Sequence, residues 1–216
     1  MTQQQATDGM GKMELGIKRT ADILFAMVGM VVLSPVMLAV ALSIRLQQNG
    51  PIFFRQVRIG KGGKPFVIFK FRTLSSEAEN EGPQLIAQGD ELTSTRLERF
   101  LRGHHLDELP QLWNVLRGDM SLVGPRPERP ELAAENEKLM PEFRYRLKVK
   151  AGLTGYAQVL GKYNTTPYDK LRLDLMYIEQ YSLLLDIKLI LMTIKILFIP
   201  ESTEGVKDDN TSGTAL

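Results

Sequence analysis

Residues 23–44 have the sequence ILFAMVGMVVLSPVMLAVALSI, an apolar run without a formally charged side chain. A straight helix of this length would extend about 33 Å, enough to cross a hydrocarbon core of about 30 Å. Pro35 lies in the middle of the run, where it removes a backbone donor and clashes with the preceding turn. The Ser34 hydroxyl can bond back to a freed carbonyl, which makes a bend tolerable in lipid. The sequence therefore predicts a membrane segment broken at Ser34 and Pro35.

The charges on either side of this run bear on its topology. Lys18 and Arg19 precede it, and Arg45 and a basic block follow it. Because positive charge favours the cytoplasmic side, basic flanks at both ends favour a re-entrant hairpin whose ends lie on one membrane face. A kinked helix that spans the bilayer is the alternative, since spanning helices also tolerate proline. The run is longer than a signal-peptide core, and no A-x-A-like cleavage site follows it, so we interpret it as a retained anchor.

The composition of the 216-residue chain is that of a globular protein, with 44% hydrophobic and 24% charged residues. The net charge is only +2, but residues 51–76 contain six Lys and Arg side chains and no acid. Such a block beside a membrane segment indicates anionic headgroups, a phosphorylated ligand, or simply a solvated cytoplasmic flank. The absence of cysteine excludes disulfides, thiol catalysis and Cys-ligated metals.

Short elements are predicted after the anchor. Residues 53–71, FFRQVRIGKGGKPFVIFKF, form two strand-like stretches around a Gly-rich turn, which predicts a β-hairpin. Thr95 and Glu98 form a capping box that opens a short helix, and a second helix is predicted to start at Asp107. Residues 118–130, GDMSLVGPRPERP, are predicted to be a loop stiffened by its prolines.

The remaining segments are predicted as a polar surface loop at 75–92, helices at 130–148 and 167–181, and polar, disordered tails at 1–14 and 201–216.

Residues 183–199, LLLDIKLILMTIKILFI, are a further membrane candidate. Charges within a span are costly, so Asp186, Lys188 and Lys195 favour an amphipathic helix in the interface over a second span. A buried core helix with snorkelling lysines is the alternative.

Chemistry is most plausible in HHLDELPQLWN, residues 104–114. Asp107 and Glu108 are neighbouring acids at a predicted helix N-terminus, directly after a helix that carries Arg102. Two such acids can act as nucleophile and proton acceptor, or hold Mg²⁺ against phosphate oxygens. The helix N-terminus and the nearby arginines would keep Asp107 ionised. The simpler interpretation is that Asp107 is only an N-cap and Glu108 only a first-turn acid.

Other polar residues also point to phosphate. Lys70 and Arg72 alternate with Phe71 at strand spacing and project from one side. Arg126 lies between two prolines, on a stiff loop suited to a guanidinium clamp. Each of these cations is equally consistent with a surface charge that has no ligand. The His104-His105 pair lacks the spacing and partners of a zinc site, so we do not interpret it as one.

Several motifs resemble those of the bacterial sugar transferase family, the monotopic polyprenol-phosphate phosphoglycosyl transferases. They are KRTAD at 18–22, the Ser-Pro-centred apolar run, GPIFFRQVRIGKGGKPF at 50–66, KFRTL at 70–74, LDELPQLWNVLRGDMSLVGPRPE at 106–128, GLTGYAQV at 152–159 and YIEQYSLLLDIKLI at 177–190. The resemblance extends from about residue 16 to residue 199. The string from Asp107 to Pro127 is highly specific.

The resemblance implies transfer of a phospho-sugar from a UDP-sugar to undecaprenyl phosphate, giving a lipid-linked diphosphosugar and UMP. It implies that Asp107 is the nucleophile, that Mg²⁺ lies beside it, and that Glu108 assists attack by the polyprenol phosphate. Four positions match basic residues of the family's phosphate-binding surface, namely Lys70, Arg72, Arg102 and Arg126. Asp174 matches an acid that borders the nucleotide-sugar pocket. Lys162 is a further candidate for this surface and stands where an Arg is common; it carries the charge but cannot form a bidentate fork.

The expected fold is α+β and helix-dominated. It comprises a disordered tail (1–14), a re-entrant membrane anchor (15–47), a catalytic domain at the cytoplasmic face of the bacterial inner membrane (48–200) and a second tail (201–216). The domain is expected to hold a small β-hairpin and short and amphipathic interfacial helices. The expected partners are the UDP-sugar, the polyprenol phosphate and membrane lipid, and no nucleic acid. A homodimer is left open as an alternative to a monomer, and the motifs are compatible with several sugars.

Two other function classes remain as alternatives. One is a metal-dependent glycosyltransferase that releases UDP, although no Asp-x-Asp motif occurs in the chain. The other is a non-catalytic scaffold whose basic surface binds anionic lipid, in which case binding would fall steeply with salt.

Overall fold

The structure, a computed structural model, describes residues 11–47, 50–73, 95–161 and 165–197. Within these ranges the helices are α1 Lys12–Val32, α2 Ser34–Gln47, α3 Arg96–Gly103, α4 Gln111–Arg117, α5 Pro130–Leu139, α6 Tyr156–Leu160, α7 Pro167–Glu179 and α8 Leu183–Leu197. The strands are β1 Phe53–Ile59, β2 Pro65–Phe71, β3 Met120–Val123 and β4 Ala151–Thr154. The predictions for 1–10, 75–92, 201–216 and Lys162 fall outside the described residues.

The apolar run forms two helices rather than one. α1 ends at Val32 and α2 begins at Ser34, with a bend of 59° between them. Ser34 Oγ donates to the Val31 carbonyl at 2.7 Å, which confirms the predicted back-bond at the break. No single described helix has the length and apolar composition of a membrane span, but the bent pair together has both. This geometry is that of a broken span or of a re-entrant loop.

α1 begins at Lys12, so the last three residues of the predicted polar tail, 12–14, are helical. The Gly11 N–H donates to Glu14 Oε2 at 2.8 Å, so a first-turn carboxylate satisfies a backbone donor at the helix start. The prediction missed this start because the local hydrogen bond gives no signal in hydrophobic periodicity.

The predicted β-hairpin is confirmed. β1 and β2 pair antiparallel from Phe53 opposite Phe71 to Ile59 opposite Pro65. A short 3₁₀ turn, Lys61–Gly63, joins them. Gly62 and Gly63 have φ of 69° and 75°, a region that glycine enters without steric cost.

The predicted loop at 118–130 is wrong in its first half, where Met120–Val123 forms β3. This strand pairs in parallel with β4, with Met120 opposite Ala151 and Val123 opposite Thr154. Strands of four residues are too short to give an alternating pattern, and their partners lie about 30 positions apart in sequence. Close backbone contact between Gly124 and Gly152 leaves no room for a side chain at either position.

The helix predictions are confirmed at Arg96–Gly103, where Thr95 and Glu98 form the capping box, and at Pro167–Glu179. The helix predicted over 130–148 ends at Leu139 and continues as a 3₁₀ helix, Pro141–Lys148. A proline disfavours helical geometry at the preceding residue, and Met140 has φ −138° and ψ 91°. Helices thus dominate an α+β fold with two small sheets.

Three buried clusters hold these elements together. The first joins β3, α7 and α8 through Val123, Val149, Tyr177, Tyr181, Leu185 and Leu189. The second joins α1 to β2 and α4 through Ala26, Ile68, Leu112, Val115, Met120 and Ala151. The third joins α2 to β2 and α3 through Val40, Ile44, Phe71 and Leu101. Both helices of the bent pair therefore pack against the same body of the protein.

α8 buries one face and exposes the other. Leu185, Asp186 and Leu189 are buried, whereas an apolar stripe and two lysines are exposed on the opposite face: Leu184, Ile187, Lys188, Leu191, Ile194 and Lys195. The helix thus has the two-faced character predicted for an interfacial helix, while its inner face also belongs to the core.

Candidate active site

The two neighbouring acids lie in a tight turn between α3 and α4. His105 adopts the left-handed conformation (φ 54°, ψ 22°), and Leu106–Glu108 forms a 3₁₀ turn. α4 begins only at Gln111, with Pro110 before it, so the predicted helix start at Asp107 is wrong. Neither carboxylate caps α4, and both are buried, at 7% and 8% exposure. The simpler interpretation of Asp107 as an N-cap therefore fails.

Glu108 is held by two cations that arrive from different parts of the chain. Lys70 Nζ donates to Oε1 at 2.8 Å, and the Arg126 guanidinium donates to Oε1 at 2.6 Å and to Oε2 at 3.3 Å. Burial opposes the charge on Glu108, but Arg126 and Lys70 together hold its pKa well below its usual range. The Arg126 side chain is 47% exposed although its guanidinium binds Glu108.

Asp107 differs from its neighbour, because its carboxylate makes no hydrogen bond or ion pair with any of the residues that the structure describes. Burial raises the pKa of Asp107 above its ordinary value of 3.8, while the positive charge of Lys70 opposes this rise. Buried carboxylates are normally hydrogen-bonded, and exceptions concentrate at functional sites. Asp107 is the acid of this pair that is available to an incoming group.

Asn114 aligns the strand that carries Lys70. Its Oδ1 accepts from the Phe69 N–H at 3.1 Å, and its Nδ2 donates to the Val67 carbonyl at 2.7 Å. The side chain is fully buried and joins α4 directly to β2. Sequence reasoning missed this residue, since an Asn inside a helical pattern gives no indication of a partner 45 residues away.

Two other predicted site residues, Arg102 and Arg72, lie at the ends of α3 and β2. Arg102 is half-buried in the last turn of α3, and its carbonyl accepts from the His105 N–H at 3.1 Å. Arg72 follows β2 and lies against Gly50, so that a side chain at position 50 would collide with the guanidinium. The structure brings Lys70 and Arg126 into direct contact with Glu108, and Asp107 precedes Glu108 in the same 3₁₀ turn.

Asp174 lies inside the protein, with 1% exposure. Its Oδ2 accepts from Arg146 Nε at 2.7 Å, and Arg146 in turn donates to the Arg126 carbonyl at 2.9 Å. Asp174 is therefore linked to the Arg126 backbone through Arg146. Arg146 itself was not among the predicted residues, because a lone Arg in a predicted helix is typical of a solvated surface.

The side chains around Asp107 decide whether the expected Mg²⁺ fits this site. The described residues contain no group of three acids, histidines or cysteines that could hold a metal by themselves. Both Glu108 oxygens are engaged by Lys70 and Arg126, which leaves the Asp107 carboxylate as the available ligand. Mg²⁺ is commonly held by one or two carboxylates together with substrate phosphates. The site therefore fits Mg²⁺ bound by Asp107 and a phosphorylated substrate.

Comparison with known proteins adds a family match. A family model named bacterial sugar transferase matches residues 13–200. The chain is 41% identical over 182 residues to a UDP-N-acetylgalactosamine-undecaprenyl-phosphate N-acetylgalactosaminephosphotransferase of Aeromonas hydrophila, over 83% of this chain and 43% of that protein. It is 40% identical over 181 residues to a UDP-glucose:undecaprenyl-phosphate glucose-1-phosphate transferase of Xanthomonas campestris pv. campestris, over 82% and 37%.

A third relative has a similar length. The chain is 37% identical over 195 residues to the uncharacterized sugar transferase EpsL of Bacillus subtilis (strain 168), over 90% of this chain and 92% of that protein. By contrast, the chain spans only about two fifths of the Aeromonas and Xanthomonas relatives.

Proposed function

Because this chain belongs to the bacterial sugar transferase family, we propose that it transfers a phospho-sugar from a UDP-sugar to undecaprenyl phosphate and releases UMP. The observation that carries this proposal is the buried carboxylate of Asp107, which has no partner in the described part of the chain, beside a Glu108 that binds two cations. A nucleophile next to a preformed phosphate-binding charge suits phosphoryl transfer. The product would be the first lipid-linked intermediate of a surface glycan or exopolysaccharide.

In the first step, an Asp107 carboxylate oxygen attacks the β-phosphorus of the UDP-sugar. A new P–O bond forms to Asp107, and the bond from that phosphorus to the oxygen shared with the α-phosphate breaks, so UMP leaves with that oxygen. In the second step, a phosphate oxygen of the polyprenol phosphate attacks the same phosphorus. This forms the diphosphate and returns the Asp107 carboxylate. Splitting the transfer allows a soluble donor and a lipid acceptor to use one site in turn.

Lys70 and Arg126 stabilise the charge of the diphosphate, and Glu108 keeps them in place before the donor arrives. A carboxyl with so low a pKa is a weak proton acceptor near neutral pH. When phosphate oxygens take over Lys70 and Arg126, Glu108 loses the charges that lowered its pKa and becomes a better proton acceptor. We assign Glu108 the role of proton acceptor in the second step. Mg²⁺, bound by Asp107 and the substrate phosphates, would neutralise phosphate charge.

The proposed location is the cytoplasmic face of the bacterial inner membrane, with α1 and α2 as a re-entrant anchor. The packing of the two helices supports the re-entrant topology over a kinked span, and the exposed apolar side chains support contact with lipid. α1 and α2 pack onto the same body, through Ala26 and through Val40 and Ile44. The exposed apolar side chains near the break, including Val31 and Val32 at 73% and 66% exposure, provide a surface for lipid. This placement would bring Asp107 to the depth of the acceptor phosphate.

Cysteine labelling tests the topology, because the chain has no native cysteine. Met13→Cys and Leu46→Cys place thiols at exposed sites near the two ends of the bent pair. An impermeant maleimide is expected to label both in inside-out vesicles and neither in intact spheroplasts. Val32→Cys, beside the break, serves as the control and is expected to stay unlabelled from both sides because it lies in hydrocarbon. Labelling of the two ends from opposite sides would establish a kinked span.

The function is tested with purified protein in nanodiscs, Mg²⁺ and a panel of UDP-sugars that includes UDP-glucose and UDP-N-acetylgalactosamine. Without an acceptor, we expect at most one equivalent of UMP per protein and a phospho-sugar adduct in the intact mass. Added undecaprenyl phosphate should restore turnover. Release of UDP in place of UMP would indicate a glycosyltransferase. The absence of any nucleotide release for every donor, together with salt-sensitive vesicle binding, would favour a lipid-binding scaffold.

The pKa of Asp107 predicts an acid limb in the rate of adduct formation. The nucleophile acts only when ionised, so the rate is lost as pH falls through a pKa that burial raises above 3.8. Lys70 lowers this pKa, and therefore Lys70→Met should move the limb to higher pH as well as slow the reaction. The measurement is the single-turnover rate against pH. Lys64→Met, at an exposed lysine next to the hairpin turn, should leave the limb unchanged, and an unmoved limb in Lys70→Met would contradict the assignment to Asp107.

A further inference from the structure

The loop that carries Arg126 is fixed by its carbonyl groups. Four consecutive carbonyls, those of residues 125–128, each accept a hydrogen bond from a distant part of the chain. The Gly152 N–H donates to Pro125 at 2.9 Å, and the Ile59 N–H donates to Glu128 at 3.0 Å. The two central carbonyls are held by side chains: Arg146 donates to the carbonyl of Arg126 at 2.9 Å and Arg58 to that of Pro127 at 3.1 Å. Prolines at 125 and 127 have no N–H, so the carbonyls are the polar backbone groups through which these positions can be held.

Of the two arginines that hold this loop, Arg146 and Arg58, Arg146 has the more extensive contacts. Its side chain is only 6% exposed, and its Nε is fixed on Asp174 Oδ2 at 2.7 Å. Its Nη1 lies 3.7 Å from Glu128 Oε1, and the guanidinium stacks on the Phe143 ring at 4.6 Å from the centroid. Because the cation is buried and its orientation is set by Asp174, the Nη2 that reaches the Arg126 carbonyl has little freedom to move.

Arg58 approaches the loop from the hairpin on the other side. Its Nη1 donates to the carbonyl of Pro127, the residue after Arg126, and burial and the like charge of Arg126 lower the pKa of Arg58 to about 10. The Arg126 side chain is partly exposed, while the backbone of its loop is held from both the hairpin and the 3₁₀ helix Pro141–Lys148.

We propose that Arg146, oriented by Asp174, is a positioning residue that fixes the loop so that Arg126 meets Glu108 and the diphosphate in one geometry, with Arg58 as the second support. This inference rests on the proposed function for its consequence in catalysis. It assigns Asp174 to the support of the loop and not to the nucleotide-sugar pocket. A misplacement of about 1 Å at a reacting group can lower a rate by about 10²-fold, so the arrangement of this loop is expected to matter for chemistry.

A double-mutant cycle between Arg126→Gln and Arg146→Lys tests the proposal. Arg146→Lys keeps the charge but cannot contact Asp174 and the Arg126 carbonyl in the same way. We expect it to slow adduct formation by about 10–100-fold and to weaken binding of UDP, measured calorimetrically, by about tenfold. In the Arg126→Gln background, the same change should alter both quantities by less than about threefold, because the side chain that the loop positions is already absent.

Leu171→Val, at a buried position one turn from Asp174 on α7, is the control for lost packing alone. It should lower the melting temperature with little change in UDP affinity or adduct rate. Additive effects of Arg126→Gln and Arg146→Lys, or an Arg146→Lys protein that differs from wild type only in melting temperature, would overturn the proposal. If wild type forms no adduct but UDP binding still shows the coupling, the proposed function fails while the positioning role of Arg146 stands.

Discussion

Asp107→Asn is expected to abolish the phospho-sugar adduct and to reduce UMP release by at least about 10³-fold. The amide has nearly the shape of the carboxylate but cannot form the bond to phosphorus. Asp107 accepts no hydrogen bond from the described residues, and burial disfavours its charge, so this substitution removes no stabilising contact. The melting temperature should therefore be unchanged or raised. Intact mass and UMP release, each measured with and without undecaprenyl phosphate, check the expectation.

Glu108→Gln is the matched variant at the neighbouring position, and it should behave differently. We expect it to retain the adduct while turnover with undecaprenyl phosphate falls by about 10²–10⁴-fold, because Glu108 assists the second step. It should also lose stability, since Lys70 and Arg126 lose their common partner. An adduct that persists in Asp107→Asn and disappears in Glu108→Gln would reverse the two assignments. Loss of UMP release only when the acceptor is present would indicate direct transfer in a ternary complex, with Asp107 as a metal ligand.

Lys18→Met is expected to destabilise the protein by about 3–5 kcal/mol, or about 6–20 °C in melting temperature. Lys18 on α1 forms an ion pair with Asp186 on α8, and both side chains are less than 10% exposed. Lys18 Nζ also donates to the Val123 carbonyl at 3.2 Å, so three elements meet at this ammonium group. Removing it leaves the Asp186 carboxylate buried without its cation, which is a large cost in a dry site. Thermal unfolding in detergent provides the measurement.

Replacing both partners separates the cost of an unpaired charge from the value of the ion pair. Lys18→Met with Asp186→Leu should recover most of the lost stability, because an apolar pair of similar volume often replaces a buried ion pair at little cost. Tyr177, whose hydroxyl lies 2.8 Å from Asp186, can still donate to the Val123 carbonyl at 3.1 Å. Lys12→Met, at an exposed position on the same helix, should have almost no effect. A double variant no more stable than Lys18→Met would show that the ion pair itself is required.

Features that depend on neighbouring residues were predicted from the sequence. The break at Ser34 and Pro35, the hairpin around the Gly-rich turn, and the helix that opens at Thr95 are all present at the predicted positions. Each is caused by local chemistry: a missing backbone donor, glycines that accept positive φ, or a side chain that caps an N–H three residues away. The identity of the acidic pair and of Lys70 and Arg126 was likewise recognisable from motifs.

The arrangement of these groups was decided only by the tertiary structure. Asp107 has no partner among the described residues because Glu108 binds both Lys70 and Arg126, which lie 38 and 18 positions away in the sequence. The spacing of residues in the sequence does not show which of the two acids will bind these cations. Sequence spacing likewise does not reveal that β3 pairs with β4, that Arg146 binds Asp174, or that Lys18 binds Asp186, 168 residues away. A buried charge takes whichever partner the packed elements bring within hydrogen-bond distance, and that choice is made when the core closes. The sequence by itself therefore determined which chemical groups the protein carries and where its chain bends, and the packing of distant elements determined which of those groups are free to react.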